Sequence, residues 1–483
     1  MPEPAHAAIG ASALTGPSHQ PPDRHTQIAR PVSPGNPGAP AIIGGAFLLA
    51  AVGASMAGVN AAGPFLIPIG AVFFAASIGR VLLRRHPDEP WLGRFLIAGT
   101  AFKLVVSYLR YLTVVIGYGG GGDSEVYDKF GRRYALFWQG DGPNPALPDL
   151  RKTNFVRWFT GVTYYVFGSN QLAGYFVFGL LALVGSYFWY RATVEALPFI
   201  NKRLYLAFVF FAPSIAFWPS SIGKESLMQL GIGTMALGTA HMLNRRLLSG
   251  LSLVMASGWL LWVVRPHLVA LVAMAGGAAY FVGRVRRKDP STGGAFSLFS
   301  RPLGMIIVAI LLVLTVNQGA QFLGLEDLSL SSIQGELDAT TLSTGQGGSS
   351  FDNGGNSLNP IYLPNGAVTV LLRPFPWETD NPFQLLASLE SVCLMAVIVI
   401  RRRSIALSFS RARTSPFLLY CWLLTILYAA TFSSFANFGL LVRQRSLVLP
   451  ALFVLLATDP ALARDMPESP PADARNPASH ARR

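Results

Sequence analysis

Residues 305–316 read MIIVAILLVLTV, a run in which only Thr315 is polar. A strand in a membrane barrel alternates apolar and polar residues over about ten positions, and this run does not alternate. Its unbroken hydrophobicity is that of a helix lying in hydrocarbon. Comparable runs recur along the chain, each about 17–25 residues long, the length a helix needs to cross a bilayer. Of 483 residues, 51% are hydrophobic and 13% charged, with a mean hydropathy of +0.42. Soluble domains carry roughly 25% charged residues, so this chain cannot cover a water-facing surface of its size. The expected fold class is all-α, a polytopic integral membrane helix bundle of about twelve transmembrane helices.

The expected spans are 41–59, 65–83, 94–116, 170–190, 203–219, 225–243, 248–264, 267–283, 303–323, 385–400, 415–432 and 441–458. Glycines within them, as from Gly231 to Gly238, suit close helix contacts in lipid. Residues 1–40 are rich in Pro, Ala, Gly and His and have no apolar core before Ala41, so they read as a disordered cytoplasmic tail and not as a signal peptide. Residues 460–483 read the same way. Between the tails, 41–459 form the bundle, with outer loops at 117–169 and 324–384.

The formal charge is +14. In a soluble protein this would point to nucleic acid. Here the basic residues gather in alternate connections, as the positive-inside rule requires, and no nucleic-acid partner is expected. With the N-terminus inside, the inner connections hold Arg80, Arg84, Arg85 and Arg94, then Arg191, Lys202 and Arg203, then Arg245 and Arg246. Arg284, Arg286, Arg287 and Lys288 follow, and Arg401, Arg402, Arg403, Arg411 and Arg413 complete the set. Both termini are then cytoplasmic, in a multi-pass protein of the bacterial cytoplasmic (inner) membrane. Cys393 and Cys421 lie in apolar runs and read as structural thiols. The seven histidines show no metal spacing, and neither metal nor cofactor is expected.

Five polar features then converge on the outer face. The segment Gly119-Gly-Gly-Gly-Asp123-Ser-Glu-Val-Tyr127 follows the third span, where the glycines allow a sharp turn and a close approach to a ligand. Asp123 there can act as a base or hold a cation. Trp218-Pro-Ser-Ser-Ile-Gly223-Lys224-Glu225 forms a turn between the fifth and sixth spans. Lys224 either pairs with Glu225 or holds an anion at the helix start. Arg265-Pro266-His267 is the whole connection between spans seven and eight. The loop 324–384 has a Gly/Ser/Asn-rich middle, Gly345 to Asn359, and ends in Arg373-Pro-Phe-Pro-Trp377-Glu378. Last, Asn437-Phe-Gly-Leu-Leu-Val-Arg443-Gln-Arg445 carries two arginines into an outer helix end, which is costly unless they meet anions or line a cavity. Within the membrane, Lys103, Ser107 and Arg110 fall on one face of the third span, and a charge at mid-bilayer is a functional candidate by default.

Lys224, Arg265, Arg373, Arg443 and Arg445 make the outer face anion-friendly. A polyprenyl phosphate or diphosphate carrier matches it, with an anionic headgroup and a tail that needs lipid. Cations hold and stabilise such a leaving group, a carboxylate takes the proton of an attacking hydroxyl, and Tyr127 and Trp377 can stack on sugar rings. The layout of residues 41–458 resembles bacterial polysaccharide (oligosaccharide repeat-unit) polymerases of the Wzy type and, more loosely, C-type membrane glycosyltransferases. The Gly-Gly-Asp-Ser segment ending in Tyr127 looks like the acidic first-outer-loop motif of C-type enzymes, although here it follows the third span and not the first. The segments Arg373 to Glu378 and Asn437 to Arg445 look like motifs of polymerase-like membrane proteins. The resemblance implies lipid-diphosphate glycan substrates, a metal-independent reaction and, as partners, other envelope polysaccharide assembly proteins. The roles expected from residues and resemblance together are these. Asp123 deprotonates or positions the acceptor, with Glu378 in reserve. Arg443 and Arg445 hold the diphosphate, assisted by Arg373, Arg265 and His267. Lys224 binds a second phosphate-bearing lipid. Two alternatives stay open: a transferase adding single sugars from a polyprenyl monophosphate, and a non-enzymatic flippase or transporter of lipid-linked glycans, for which Lys103 is the midplane feature.

Overall fold

The computed structural model describes residues 38–146, 149–286, 350–351 and 363–464, the side chains of 284–286 and 363 excepted. The expected span 303–323, residues 324–349 and 352–362 of the long loop, and the tails 1–37 and 465–483 lie outside these residues, as do Arg287, Lys288 and the side chains of Arg284 and Arg286. Among the described residues all regular structure is helical. Two isolated β-bridges, Ile200 with Thr458 and Ser350 with Asn437, are the exceptions.

Eight helical stretches are long and apolar enough to cross a membrane. They are α1 (Gly38–Met56), α2 (Gly63–Arg85), α3 (Trp91–Leu112, prolonged by a π-turn to Gly117), α6 (Gln171–Ala196), α10 (Leu247–Val264), α11 (Pro266–Arg286), α13 (Pro382–Ile400) and α16 (Phe438–Ala457). A ninth arises if α14 (Arg402–Ala412) and α15 (Pro416–Phe432), bent from one another by 111°, form one broken span. The protein is thus an all-α, multi-pass membrane bundle. Its described helices supply eight or nine of the twelve expected crossings by length and composition.

Three expectations take a different form. The span at 203–219 is broken into α7 (Lys202–Phe211) and α8 (Pro213–Phe217). Pro213 has no N–H to donate, and it forces Ala212 into an extended conformation. The span at 225–243 is α9 (Lys224–Leu243), which is buried along most of its length. The outer loop 117–169 holds two helices packed on each other, α4 (Asp123–Gln139) and α5 (Thr153–Phe167). The remaining described helices are α12 (Leu363–Leu372) and a short α17 (Pro460–Arg464).

Helix starts follow local chemistry. Asn170, Asn201, Asn381 and Asn437 each accept a hydrogen bond from the first turn of the helix they precede, satisfying N–H groups with no partner inside the helix. Packing in the centre depends on glycine. A Cβ on Gly185 of α6 would sit 2.3 Å from the Gln229 carbonyl oxygen of α9, and one on Gly233 of α9 would sit 2.0 Å from the Gly185 oxygen. Gly238 of α9 meets Gly250 of α10 in the same way, with 3.0 Å from its Cβ position to the Gly250 oxygen. Backbones in lipid approach this closely only where side chains are absent, so the Gly231 to Gly238 stretch does what its sequence promises.

One end of the bundle gathers the basic connections. Lys202 pairs with Glu89 at 2.5 Å, and Glu195 pairs with His241 and Arg246 at 3.3 Å each. Arg401 donates to the oxygens of Leu456 at 2.9 Å and Thr458 at 3.0 Å, at the carbonyl end of α16. The connections after α2, α6, α9 and α13 therefore share one end, as the alternation of charge requires.

The glycine contact makes a prediction. Gly185→Val adds three carbon atoms, the first of them 2.3 Å from the Gln229 oxygen of the α9 backbone, and is expected to abolish a monodisperse purified protein. Gly45→Val, where an added Cβ meets nothing within 4 Å, is expected to leave elution and thermal unfolding unchanged. Size-exclusion chromatography of both variants decides; a monodisperse Gly185→Val protein would overturn the close packing.

Candidate functional site at the opposite end of the bundle

The N-terminal turns of α4, α9 and α16 and the α10–α11 corner meet at the other end. Gly119, Gly120 and Gly122 adopt positive φ angles of 60°, 76° and 114°, which L side chains rarely tolerate. They turn the chain from α3 into α4 and leave Asp123 as the first residue of that helix. Asn437 caps α16 and sets Arg443 in its second turn.

Arg443 joins two acids from different helices. Its Nη2 lies 3.3 Å from Asp123 Oδ2, and its Nε lies 2.6 Å from Glu225 Oε1. The Glu225 side chain is only 3% exposed, whereas that of Asp123 is 63% exposed. One arginine thus faces a carboxylate inside the protein and another at its surface. Arg265 Nη2 stands 4.0 Å from the same Glu225 oxygen. Lys224 does not pair with Glu225; its Nζ donates to Thr153 Oγ1 at 2.9 Å. His267 is buried at the start of α11, within electrostatic reach of Arg265, Lys152 and Lys224.

The structure therefore brings together Asp123, Tyr127, Lys224, Arg265, His267 and Arg443, residues up to 320 positions apart. Tyr127 lies one turn after Asp123, but its ring is buried and offers no open face for a sugar. Burial raises its hydroxyl pKa, and the charges of Asp123 and Glu225 raise it further. It stays a neutral phenol at physiological pH.

The polar face of α3 anchors this corner. Lys103 donates to the carbonyl oxygens of Ala216 at 2.8 Å and Ile215 at 3.2 Å in α8. The helix ends at Phe217 and Pro219 has no N–H to offer the Ile215 carbonyl, so Lys103 serves carbonyls that the end of the helix leaves open. The Arg110 guanidinium lies 4.8 Å from the ring centres of both Phe217 and Trp218. Its Nε and Nη1 are buried without a hydrogen-bond partner, and Arg443 is within electrostatic reach. Ser226 Oγ closes the turn on the oxygens of Pro219 and Ser221, at 2.9 Å each.

Arg445, Arg373, Glu378 and Trp377 stand elsewhere. Two residues on a helix advance about 200°, so Arg443 and Arg445 face opposite ways. Arg445 is fully buried and meets Glu390 at 3.3 Å, Ser391 Oγ at 2.9 Å and the oxygens of Leu371 and Arg373 at 3.1 and 3.3 Å. Glu390 in turn accepts hydrogen bonds from the backbone N–H and hydroxyl of Ser214. This set ties α13 and α16 to α8, and Arg445 is not free to hold a diphosphate. Arg373 pairs with Glu378 at 2.7 Å and lies 4.1 Å from the ring centre of Phe351. Glu378 also accepts the Phe375 N–H at 2.8 Å, and neither residue touches Asp123. Trp377 is 79% exposed and stacks on Phe375.

Glu390 carries no role in the sequence, and Glu225, there a pairing partner for Lys224, pairs with Arg443 instead. The signal for Glu390 was present: a lone carboxylate in the apolar span 385–400 requires a buried partner, and Arg445 is one of two cations in the span 441–458. Thr153 offered no signal, because its place beside Lys224 is set by the packing of α5.

Removing one side of a buried ion pair costs roughly 3–5 kcal/mol because the other charge stays behind. Arg443→Ala is therefore expected to lower thermal stability by an amount of that order, and Arg443→Ala with Glu225→Gln to recover most of it. Calorimetry of the four proteins in detergent measures the coupling; simple additivity would mean that the two groups do not support each other. No protein family, curated protein or solved structure matches this chain.

Proposed function

We propose that the protein is a membrane glycosyltransferase that extends polyprenyl-diphosphate-linked glycans at the outer face of the bacterial cytoplasmic membrane, as in polysaccharide repeat-unit polymerisation. The observation that carries this reading is the surplus of cations around Arg443. Lys224, Arg265, Arg443 and the incompletely bonded Arg110 outnumber Asp123 and Glu225. Such a corner is balanced by an added anion. It lies at the end remote from the arginine-rich connections, which the positive-inside rule assigns to the periplasmic side with both termini inside. An anion there that also needs hydrocarbon is a lipid-linked phosphate.

In this reading the acceptor hydroxyl oxygen bonds to the anomeric carbon of the donor sugar. The bond from that carbon to the diphosphate oxygen breaks, its electron pair leaves on the diphosphate, and the hydroxyl proton passes to Asp123. Asp123 fits the base because it is an exposed carboxylate at the mouth of this corner, beside Arg443. Arg443, Arg265 and Lys224 neutralise the diphosphate. Glu225, buried beneath Arg443, holds that guanidinium in place and does not touch the substrate. Glu378 is engaged with Arg373 and is not the base. The transporter alternative rests on a charge at mid-bilayer, and Lys103 is instead engaged with the α8 carbonyls.

The test is mass spectrometry of lipid-linked glycans from intact cells, a deletion strain, and strains producing Asp123→Asn or Arg443→Gln. Single repeat units are expected to accumulate in all three altered strains while long chains disappear. Loss of one sugar from every glycan, without loss of length, would favour single-sugar transfer. An unchanged lipid-linked pool in the deletion strain would reject the proposal.

A further inference from the structure

At the arginine-rich end, α14 lies across the chain path and meets α15 at 111°. Its three arginines and the two that flank it, Arg401 and Arg413, divide into two groups. Arg401 and Arg411 turn inward, the first to the oxygens of Leu456 and Thr458, the second to that of Ala463 at 2.9 Å. Ser404, Ser408 and Ala412 are buried on the same side. Arg402, Arg403 and Arg413 are exposed, and none has a carboxylate partner among the described residues.

The outward stripe reads Arg402, Ala406, Phe409, Arg413, at helical spacing. Phe409 is 65% exposed and stands edge-on to Trp422 of α15, with ring centres 5.6 Å apart. Beside this stripe, in the angle between α14, α15 and α11, opens a cavity of about 480 Å³. Val282, Phe409, Leu419, Trp422 and Leu423 line it, and Arg413 is the charged residue at its edge.

We propose that this corner is a binding site for an anionic phospholipid, with an acyl chain in the cavity and the headgroup phosphate on Arg413. The shape and the charge argue for the same occupant. An apolar cavity rimmed by an unpaired guanidinium suits a molecule with a long hydrocarbon tail and an anionic head. A helix with basic and aromatic residues on its outward side lies in the headgroup region. A zwitterionic lipid fills the cavity equally well but leaves the arginines without a net counter-charge. The site shares no residue with the Asp123–Arg443 corner and stands whether or not the protein is a transferase.

The test uses the full-length protein in phosphatidylcholine vesicles containing a minor fraction of brominated lipid, either phosphatidylglycerol or phosphatidylcholine. Bromine quenches indole fluorescence at contact, and the Trp422 contribution is the difference between the wild type and Trp422→Phe. Brominated phosphatidylglycerol is expected to quench Trp422 at a severalfold lower fraction than brominated phosphatidylcholine. One arginine near anionic lipid is worth about 1 kcal/mol, so Arg413→Gln should reduce that preference roughly fivefold. Equal quenching by the two lipids, or a preference untouched by Arg413→Gln, would overturn the site. Should Trp422→Phe elute as an aggregate, the phosphatidylglycerol retained per protein after detergent purification is compared between wild type and Arg413→Gln. A reduced ratio in the variant sustains the site and an equal ratio removes it.

Discussion

A buried charge has to meet its counterpart inside the protein, and α16 carries two arginines that each face a glutamate. Arg443 and Arg445, two residues apart, point to opposite sides of a helix that is buried along almost its whole length. Each draws in a glutamate from another helix: Glu225 of α9 for the first, Glu390 of α13 for the second. The helix is thereby fixed in rotation as well as in depth, because a turn about its axis would strand both guanidinium groups. The rest of the corner follows from that placement. Asp123 reaches Arg443 because the glycines before α4 fold the chain back, and Lys224 enters beside Glu225 because the two are neighbours in sequence.

The polar residues within the bundle fall into two classes with different physical work. Lys103, Arg445 and Glu390 are engaged by carbonyls, hydroxyls or each other, although the buried Arg445 Nε has no hydrogen-bond partner, and their effect is to hold a broken element, α7–α8, against its neighbours. Bonded sets of this kind rigidify a structure. Arg443, Arg265, Lys224 and Arg110 have cationic capacity beyond the two carboxylates available. The first class builds the scaffold and the second leaves an electrostatic demand that a ligand can meet. Intramembrane charge alone does not separate the classes; only a complete account of partners does.

Much of this was legible in the chain. The apolar runs gave the helices, the alternation of basic connections gave the two ends, and the acidic glycine-rich segment and Arg443, though not Arg445, meet at one corner as expected. The break at Pro213 was also readable, since proline inside an expected span leaves carbonyls unserved. Other features were not. The helical hairpin α4–α5 hid in a segment with too many charges for a span. The division between Arg443 and Arg445 needed the direction of each neighbour, which periodicity alone does not supply. Lys103 illustrates the limit most clearly. Its spacing put it on one face with Arg110, but its partners are backbone oxygens 112 and 113 residues away, and any residue type would have offered them.

The link from Arg443 to Asp123 and Glu225 also bears on how the protein is made. Synthesis runs from the N-terminus, and both carboxylates emerge long before the helix that answers them. Until α16 is inserted, Glu225 faces only the more distant Arg265 guanidinium, 4.0 Å away, and lacks the closer partner at 2.6 Å that holds α9 at its final depth. A chain that stops short of residue 443 therefore leaves Glu225 without its closest counter-charge and Asp123 without its arginine, even though every earlier helix is present. Completion of the last long helix is the event that makes the bundle electrically whole.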